Sequence, residues 1–423
     1  MTWSITVNTI TSLSQGLEKL VLFLFLLLAL SIGVHPLLSN VAVIGLAACL
    51  IASLFTGNQK VTVQTGRVLM LSIPFILAVY GLLWTTDISR SIKVLTLMLP
   101  FLVVPLATAR FAAVVQSQHR SIAWAFVAGA SILALLVVGQ CAYNTLNTGE
   151  LTLLNGTELS TWLDNTWDTT LKYAALTLTA GYLTALFMFI ISKYKSAVWT
   201  SLVCSVLLFA ALLFTGSRIP VLFTIIASVV AIALCKKRLP RNRFRALFAL
   251  MMGAIALIAI GLTNKEVRTR AAGMFQNPDT VSRVAENGTR LRLQIAKSAL
   301  NIASEHPMGV GTGMERHYLI EQYKQDFNSR AYRFQYNTHN MYLSALVNYG
   351  WIGAVIFIVF MLGLLIVAIR DKSWLFTAFV LLLIAVGTTE SYLVVHKGVI
   401  LVAFFLSWQA LGVTRTRELP VQR

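Results

Sequence analysis

Residues Val21 to Leu30 read Val-Leu-Phe-Leu-Phe-Leu-Leu-Leu-Ala-Leu, ten apolar side chains without a break. A run with no polar face cannot lie at a water-exposed surface and must be buried in protein or in lipid. It is not isolated: 57% of the 423 residues are hydrophobic and only 12% are charged, whereas soluble domains carry about 25% charged residues. A soluble globular enzyme, cytosolic or secreted, is thereby excluded. Transmembrane β-strands alternate apolar and polar positions, so an unbroken run also argues against a β-barrel. The fold class expected is all-α: a polytopic integral membrane protein.

About twenty apolar residues cross a bilayer core as a helix. Breaks at polar, Gly and Pro residues mark out twelve candidate spans, at 18–34, 38–56, 67–85, 91–109, 121–143, 172–192, 197–214, 219–235, 245–263, 341–368, 374–388 and 391–412. The shorter ones are candidates for tilted, re-entrant or protein-buried segments. Charge tests the count, because cytoplasmic loops collect Lys and Arg. Of the 34 basic residues, eighteen fall at Lys19, in alternate loops from Lys60 to Lys372, and in the tail. The opposite short loops hold five: Arg90, Lys93, Lys172, Arg218 and Lys397. Both termini are therefore expected to be cytoplasmic, and the net charge of +18 is explained by topology rather than by a nucleic-acid partner. No cleavable signal peptide is expected, since Met1 to Gly16 is uncharged and the first apolar run leads directly into another. Cys49, Cys141, Cys204 and Cys235 lie in or beside apolar runs and read as core residues.

Three regions follow. Residues 1–263 hold spans one to nine with a small outward loop at 144–171, acidic through Glu150, Glu158, Asp164 and Asp168 and carrying Trp162 and Trp167. Residues 264–340 form an outward, periplasmic loop domain with eleven basic and seven acidic residues, and 341–423 hold the last three spans and a cytoplasmic tail. Within the loop domain Asn277-Pro278-Asp279 signals a turn, and a helix runs from Arg290 to about Ser304, ended by His306-Pro307. A glycine turn occupies Gly309 to Gly313. Met314, Tyr318, Tyr323 and Phe327 then recur at helical spacing.

Cations on the side that topology does not favour are the first functional candidates. Arg218 sits in the tight turn Thr215-Gly216-Ser217-Arg218-Ile219-Pro220, where a planar guanidinium suits two phosphate oxygens; the alternative is an arginine that snorkels to lipid headgroups. In Glu286-Asn287-Gly288-Thr289-Arg290-Leu291-Arg292 two arginines open a helix, a disposition that opposes the helix dipole unless an anion binds; a solvated basic face is the equal alternative for both. They are two positions apart, so only one can face a site. His339, within Tyr336-Asn337-Thr338-His339-Asn340-Met341-Tyr342, stands where the external domain re-enters the membrane. A lone histidine is more often structural than catalytic, and the residues alone favour that reading, although an imidazole there can take a proton near neutral pH. Asn340 is placed to bond a sugar or orient the ring. No D-x-D pair, zinc-ligand spacing or P-loop is present, so neither a metal nor any other cofactor is expected.

Four motifs together resemble the O-antigen ligase and polymerase superfamily of bacterial polysaccharide assembly. They are Thr215-Gly216-Ser217-Arg218, the Arg-Leu-x-Leu start at Arg290, the run Glu305 to Gly313, and Thr338 to Gly353 with its Asn-Tyr-Gly-Trp-Ile-Gly. The resemblance implies a GT-C-like fold and a metal-independent, inverting glycosyltransfer on the periplasmic face. The donor it implies is a glycan on undecaprenyl pyrophosphate, and the ligase acceptor is a sugar hydroxyl of the lipid A core. By position it implies that Arg218 and Arg290 hold pyrophosphate and that His339 activates the acceptor, with Arg292, Asn340, Tyr342 and Glu286 as secondary candidates. Asn348 stands where relatives often have Glu, so an acidic partner for His339 must come from elsewhere, Glu286 or a backbone group being the candidates. A polymerase, a protein O-oligosaccharyltransferase and a multi-span transporter are the competing readings. One dominant late external loop favours the ligase, and the stop soon after the last span disfavours the oligosaccharyltransferase. The oligomeric state is not legible.

Overall fold

The computed structural model describes residues 2–55, 64–148, 159, 161–163, 171–235, 240 and 288–412. Helices α1 (Thr2–Val34) and α2 (Pro36–Phe55) form a hairpin. The next apolar run is broken into α3 (Thr65–Leu71) and α4 (Ile73–Tyr80), and a single 3-10 turn, Gly81–Leu83, ends it. Then come α5 (Ile88–Met98), α6 (Pro100–Arg110), the short α7 (Ala112–Ser117) and α8 (His119–Thr148). The hairpin of α9 (Leu171–Ile191) and α10 (Lys195–Phe214) leads into α11 (Arg218–Cys235). Beyond these lie α12 (Gly288–Glu305), α13 (Glu315–Gln325), α14 (Ser329–Phe334), α15 (Met341–Arg370), α16 (Trp374–Gly387) and α17 (His396–Leu411). No strand occurs among the described residues.

The result is an all-α, multi-span membrane bundle. Among the described residues seven helices are long and apolar enough to cross a bilayer, and the bent pair Thr65–Leu71 and Ile73–Leu83, angled at 55°, makes an eighth if counted as one span. Three further expected spans are shorter apolar helices, Arg218–Leu234, Trp374–Gly387 and His396–Leu411. The expected span at 245–263 lies outside the described residues. Burial explains the shortness of α17: every residue from Lys397 to Leu411 is buried, so its ends meet protein and need not reach across the ~30 Å of lipid that fixes the length of a peripheral helix. Helix α9 is the second central element, 89% buried along its apolar window. Helices α1 and α8 touch through Gly33 and Gly129, where a Cβ on either would fall 2.1 Å from a carbonyl oxygen of the other helix. Small residues permit such contact in lipid, where no hydrophobic force drives helices together.

The contacts sort into two ends. At one, Arg67 bonds Asp371 at 2.7 Å and the Ala410 carbonyl, Arg110 bonds Ser53 at 3.1 Å, and Gln116 bonds the Leu411 carbonyl at 3.3 Å. At the other, His396 bonds Asn40, and Lys172, Arg292, His339 and Glu390 meet. In each contact both partners belong to the same side by charge alternation.

Candidate functional site

The segment 288–340 is a cap with its own small core. Ile295, Ala299 and Ile302 of α12 recur at helical spacing and pack with Val310, Met314, Leu319, Tyr323 and Ala331, and with Val347 from α15. Met314, Tyr318 and Tyr323 join this core as their spacing predicts. Phe327 does not: α13 ends at Gln325, and Phe327 lies beyond it at φ 52°, 93% exposed. The expected turn at Asn277-Pro278-Asp279 and the residues 264–287 lie outside the described residues, as does most of 144–171.

Two of the glycine motifs prove to be one splice. Helix α15 is broken at Gly350, φ 68°, a conformation that costs an L side chain energy and glycine none. The break releases carbonyls that the helix would otherwise use, and the glycine loop takes them. Val310 N–H donates to Val347 O at 2.9 Å, Gly311 N–H donates to Asn348 O at 3.0 Å, and Trp351 N–H donates back to Pro307 O at 3.1 Å. At Gly309, φ +91°, a Cβ would lie 2.5 Å from Asn348 O. The loop continues into the broken third span, where Thr312 N–H bonds Gly81 O at 3.1 Å and Thr312 Oγ1 bonds Ala78 O at 2.6 Å. These residues hold the cap on the bundle.

His339 follows directly. It adopts φ 47°, an uncommon backbone region for a side-chain-bearing residue, and its N–H is held by Asn337 Oδ1 at 3.1 Å. Its Nδ1 lies 3.4 Å from Glu390 Oε2 and 3.1 Å from Lys172 Nζ. Glu390, in the turn after α16, also binds Lys172 at 2.9 Å and Arg292 at 3.2 Å. Burial pushes the Glu390 carboxyl up, but the His339 hydrogen bond and the Lys172 charge outweigh it and hold the group below its ordinary range. The four side chains come from α9, α12, the turn before α15 and the turn after α16, so only the packed bundle assembles them.

Arg218 belongs to the same end. Tyr182 of α9 and Ser228 of α11 bond at 2.8 Å, and Lys172 and Arg218 each lie ten residues before that contact on helices running the same way. Both are thus raised about 15 Å above it. Arg290 is exposed and, being about 200° from Arg292 around α12, does not share the Glu390 contact. Asn340 is the N-cap of α15, its Oδ1 accepting from Tyr342 N–H and Leu343 N–H and its Nδ2 donating to Thr388 O. The Tyr342 hydroxyl donates to Ile384 O at 3.1 Å. Glu286 lies outside the described residues.

Residues 203–358 match the O-antigen ligase family model. Over this stretch, about a third of the chain, the sequence is similar to that family. The matched stretch includes Arg218, Arg290, Arg292 and His339, while Lys172 precedes it and Glu390 follows it. A search of curated proteins returns no match. Sequence reading missed Glu390 as the partner of His339. Its signal was a lone carboxylate between two apolar runs, Thr388-Thr389-Glu390-Ser391, and an acidic group at a membrane edge is itself a functional flag. Among the described residues no three His, Cys, Asp or Glu side chains gather as a metal site.

Proposed function

We propose that this chain belongs to the O-antigen ligase family and transfers a glycan from undecaprenyl pyrophosphate to a sugar hydroxyl of the lipid A core, at the periplasmic face of a bacterial inner membrane. The observation that carries the reading is the contact of His339 with Glu390 and Lys172, beside Arg292 and at the level of Arg218. In this reading there are twelve spans in a GT-C-like arrangement, both termini are cytoplasmic, and residues 264–340 cap the outer end.

Arg218 and Arg290 bind the donor pyrophosphate, with Lys172 within reach of the same anion; Arg292, on the face of α12 opposite Arg290, stays with Glu390. Guanidinium and ammonium groups fixed where the leaving group gains charge supply the electrostatic stabilisation, so the reaction is metal-independent. Nδ1 of His339 can serve one neighbour at a time. Accepting from Lys172, which has no acceptor of its own, places the ring proton on Nε2; donating to Glu390 leaves Nε2 with a free lone pair. A phosphate that draws Lys172 away therefore converts His339 into a base. Nε2 then takes the proton of the acceptor hydroxyl as its oxygen bonds to the anomeric carbon from the face opposite the pyrophosphate. The bond from that carbon to the phosphate oxygen breaks, its electron pair leaves on undecaprenyl pyrophosphate, and inversion results. The proton ends on His339, where Glu390 stabilises the imidazolium.

The test uses purified chain with lipid-linked donor and lipid A core. Folded His339→Ala and Arg290→Ala variants should both lose transfer, and near wild-type rates in both would refute the assignment. In cells, deletion should abolish long-chain lipopolysaccharide while lipid-linked polymer accumulates. Absence of that polymer would point instead to a polymerase.

A further inference from the structure

The contact between His339 and Glu390 joins two turns that are distant in sequence, and a buried polar chain lies directly beneath it. Glu315, 6% exposed, accepts from Thr338 Oγ1 at 2.9 Å, Thr338 N–H at 3.4 Å, Asn348 Nδ2 at 2.7 Å and the Ser344 hydroxyl. Thr338 Oγ1 is 3.0 Å from Ser391 Oγ, and Ser391 Oγ also accepts from Asn340 N–H at 3.2 Å. The single Thr338 hydroxyl proton has two acceptors in reach, the Glu315 carboxylate and the Asn340 carbonyl at 3.1 Å; donating to either leaves Thr338 Oγ1 to accept from Ser391.

Thr338 and Asn340 are the two chain neighbours of His339, and both are tied to Ser391, the chain neighbour of Glu390. The left-handed backbone of His339, φ 47°, is a conformation that persists only where surrounding contacts over-determine it. Thr338 and Ser391 are 2% and 1% exposed, beneath the reach of substrate, and a buried polar network of this kind rigidifies what it touches when fully satisfied. Asn348 donates to this same carboxylate, which α13 supplies.

We propose that Glu315, Thr338 and Ser391 are positioning residues that set the His339 imidazole against the Glu390 carboxylate. This rests on the role given to His339 above. The residues touch neither donor nor acceptor, so their loss should appear in turnover and not in donor binding.

The experiment measures kcat and donor KM for Thr338→Val, Thr338→Ser and Ser391→Ala in the full-length purified chain, with His339→Ala alongside. Misplacing a reacting group by about 1 Å costs roughly 10- to 100-fold, and that fall in kcat is expected for Thr338→Val and Ser391→Ala. Donor KM should stay within about twofold, as for an interaction that matters only in the transition state. Thr338→Ser, which keeps the hydroxyl, should restore turnover. The double variant should be no worse than either single, because the two hydroxyls act as one unit. Ser391→Ala removes one small hydroxyl and carries the test if Thr338→Val does not fold. Wild-type kcat in both Thr338→Val and Ser391→Ala, beside an inactive His339→Ala, would overturn the positioning role alone. A fully active His339→Ala would overturn the catalytic reading and the positioning role together.

Discussion

Glu390 Oε2 lies 3.4 Å from His339 Nδ1, joining the turn after α16 to the turn before α15. The same carboxylate holds Lys172 and Arg292, so one acidic group organises one imidazole and two cations. Around it, a single negative charge keeps three groups that can carry positive charge close together before any anionic substrate arrives, and a phosphate entering the site competes with it for Lys172.

Glu390→Gln tests that role. The amide keeps the shape but loses the charge that stabilises an imidazolium, and turnover is predicted to fall by about 10²- to 10⁴-fold, the range over which general bases and their orienting carboxylates act. Steady-state transfer kinetics on the folded variant measure it.

The pH dependence of stability follows from the same group. Its folded pKa is depressed, so its stabilising contribution is fully present above the unfolded carboxylate value of about 4.3 and is lost as pH falls through the lower folded value. Thermal midpoints of wild type and Glu390→Gln are therefore predicted to differ at pH 5 to 8 and to converge below about pH 4. A gap that widened on acidification would contradict the ion-pair account.

Lys172→Gln separates binding from base chemistry. A hydrogen bond to a charged group contributes about 1.5–3 kcal/mol, which predicts a donor affinity weakened roughly tenfold or more. Donor titration followed by intrinsic fluorescence or calorimetry reads this without turnover.

Gly309→Ala probes the splice between the glycine loop and the broken helix. Its φ of +91° and a Cβ 2.5 Å from Asn348 O predict a loss of about 2–4 kcal/mol, from strain at a special backbone position combined with overpacking. Gly66→Ala on α3, where a Cβ meets nothing within 4 Å, should leave the thermal midpoint unchanged or slightly raised.

At the opposite end, Arg67 and Asp371 are 14% and 13% exposed and bonded at 2.7 Å. Removing one partner takes this contact from a mostly buried charge, and Arg67→Ala is predicted to cost about 3–5 kcal/mol. Arg67→Leu with Asp371→Leu should cost less than the sum of the two single variants, read from denaturant unfolding in detergent.

The sequence by itself determined the solvent, the secondary structure and the candidates at the site. Runs such as Val21 to Leu30 admit only helices, because lipid offers backbone groups no partner outside their own segment. Arg218 and Arg290 stood out as candidate cations and His339 as a candidate at a membrane entry, because charge is costly there and its presence is informative. Only the tertiary structure decided which candidates meet. Hydropathy made His396–Leu411 look like an ordinary span, whereas packing makes α17 a wholly buried centre. Helical periodicity said that one of Arg290 and Arg292 must face away, but it took the placement of α12 beside the Glu390 turn to select Arg292 for that contact. Asn340 read as a group to bond a sugar or orient the ring, and the packed structure places its amide oxygen at the N-cap of α15. Glu390 and His339 are 51 residues apart, and no local pattern encodes their contact: it is made by α15 and α16 folding back on each other, and by the buried hydroxyls of Thr338 and Ser391 that bring the two turns together.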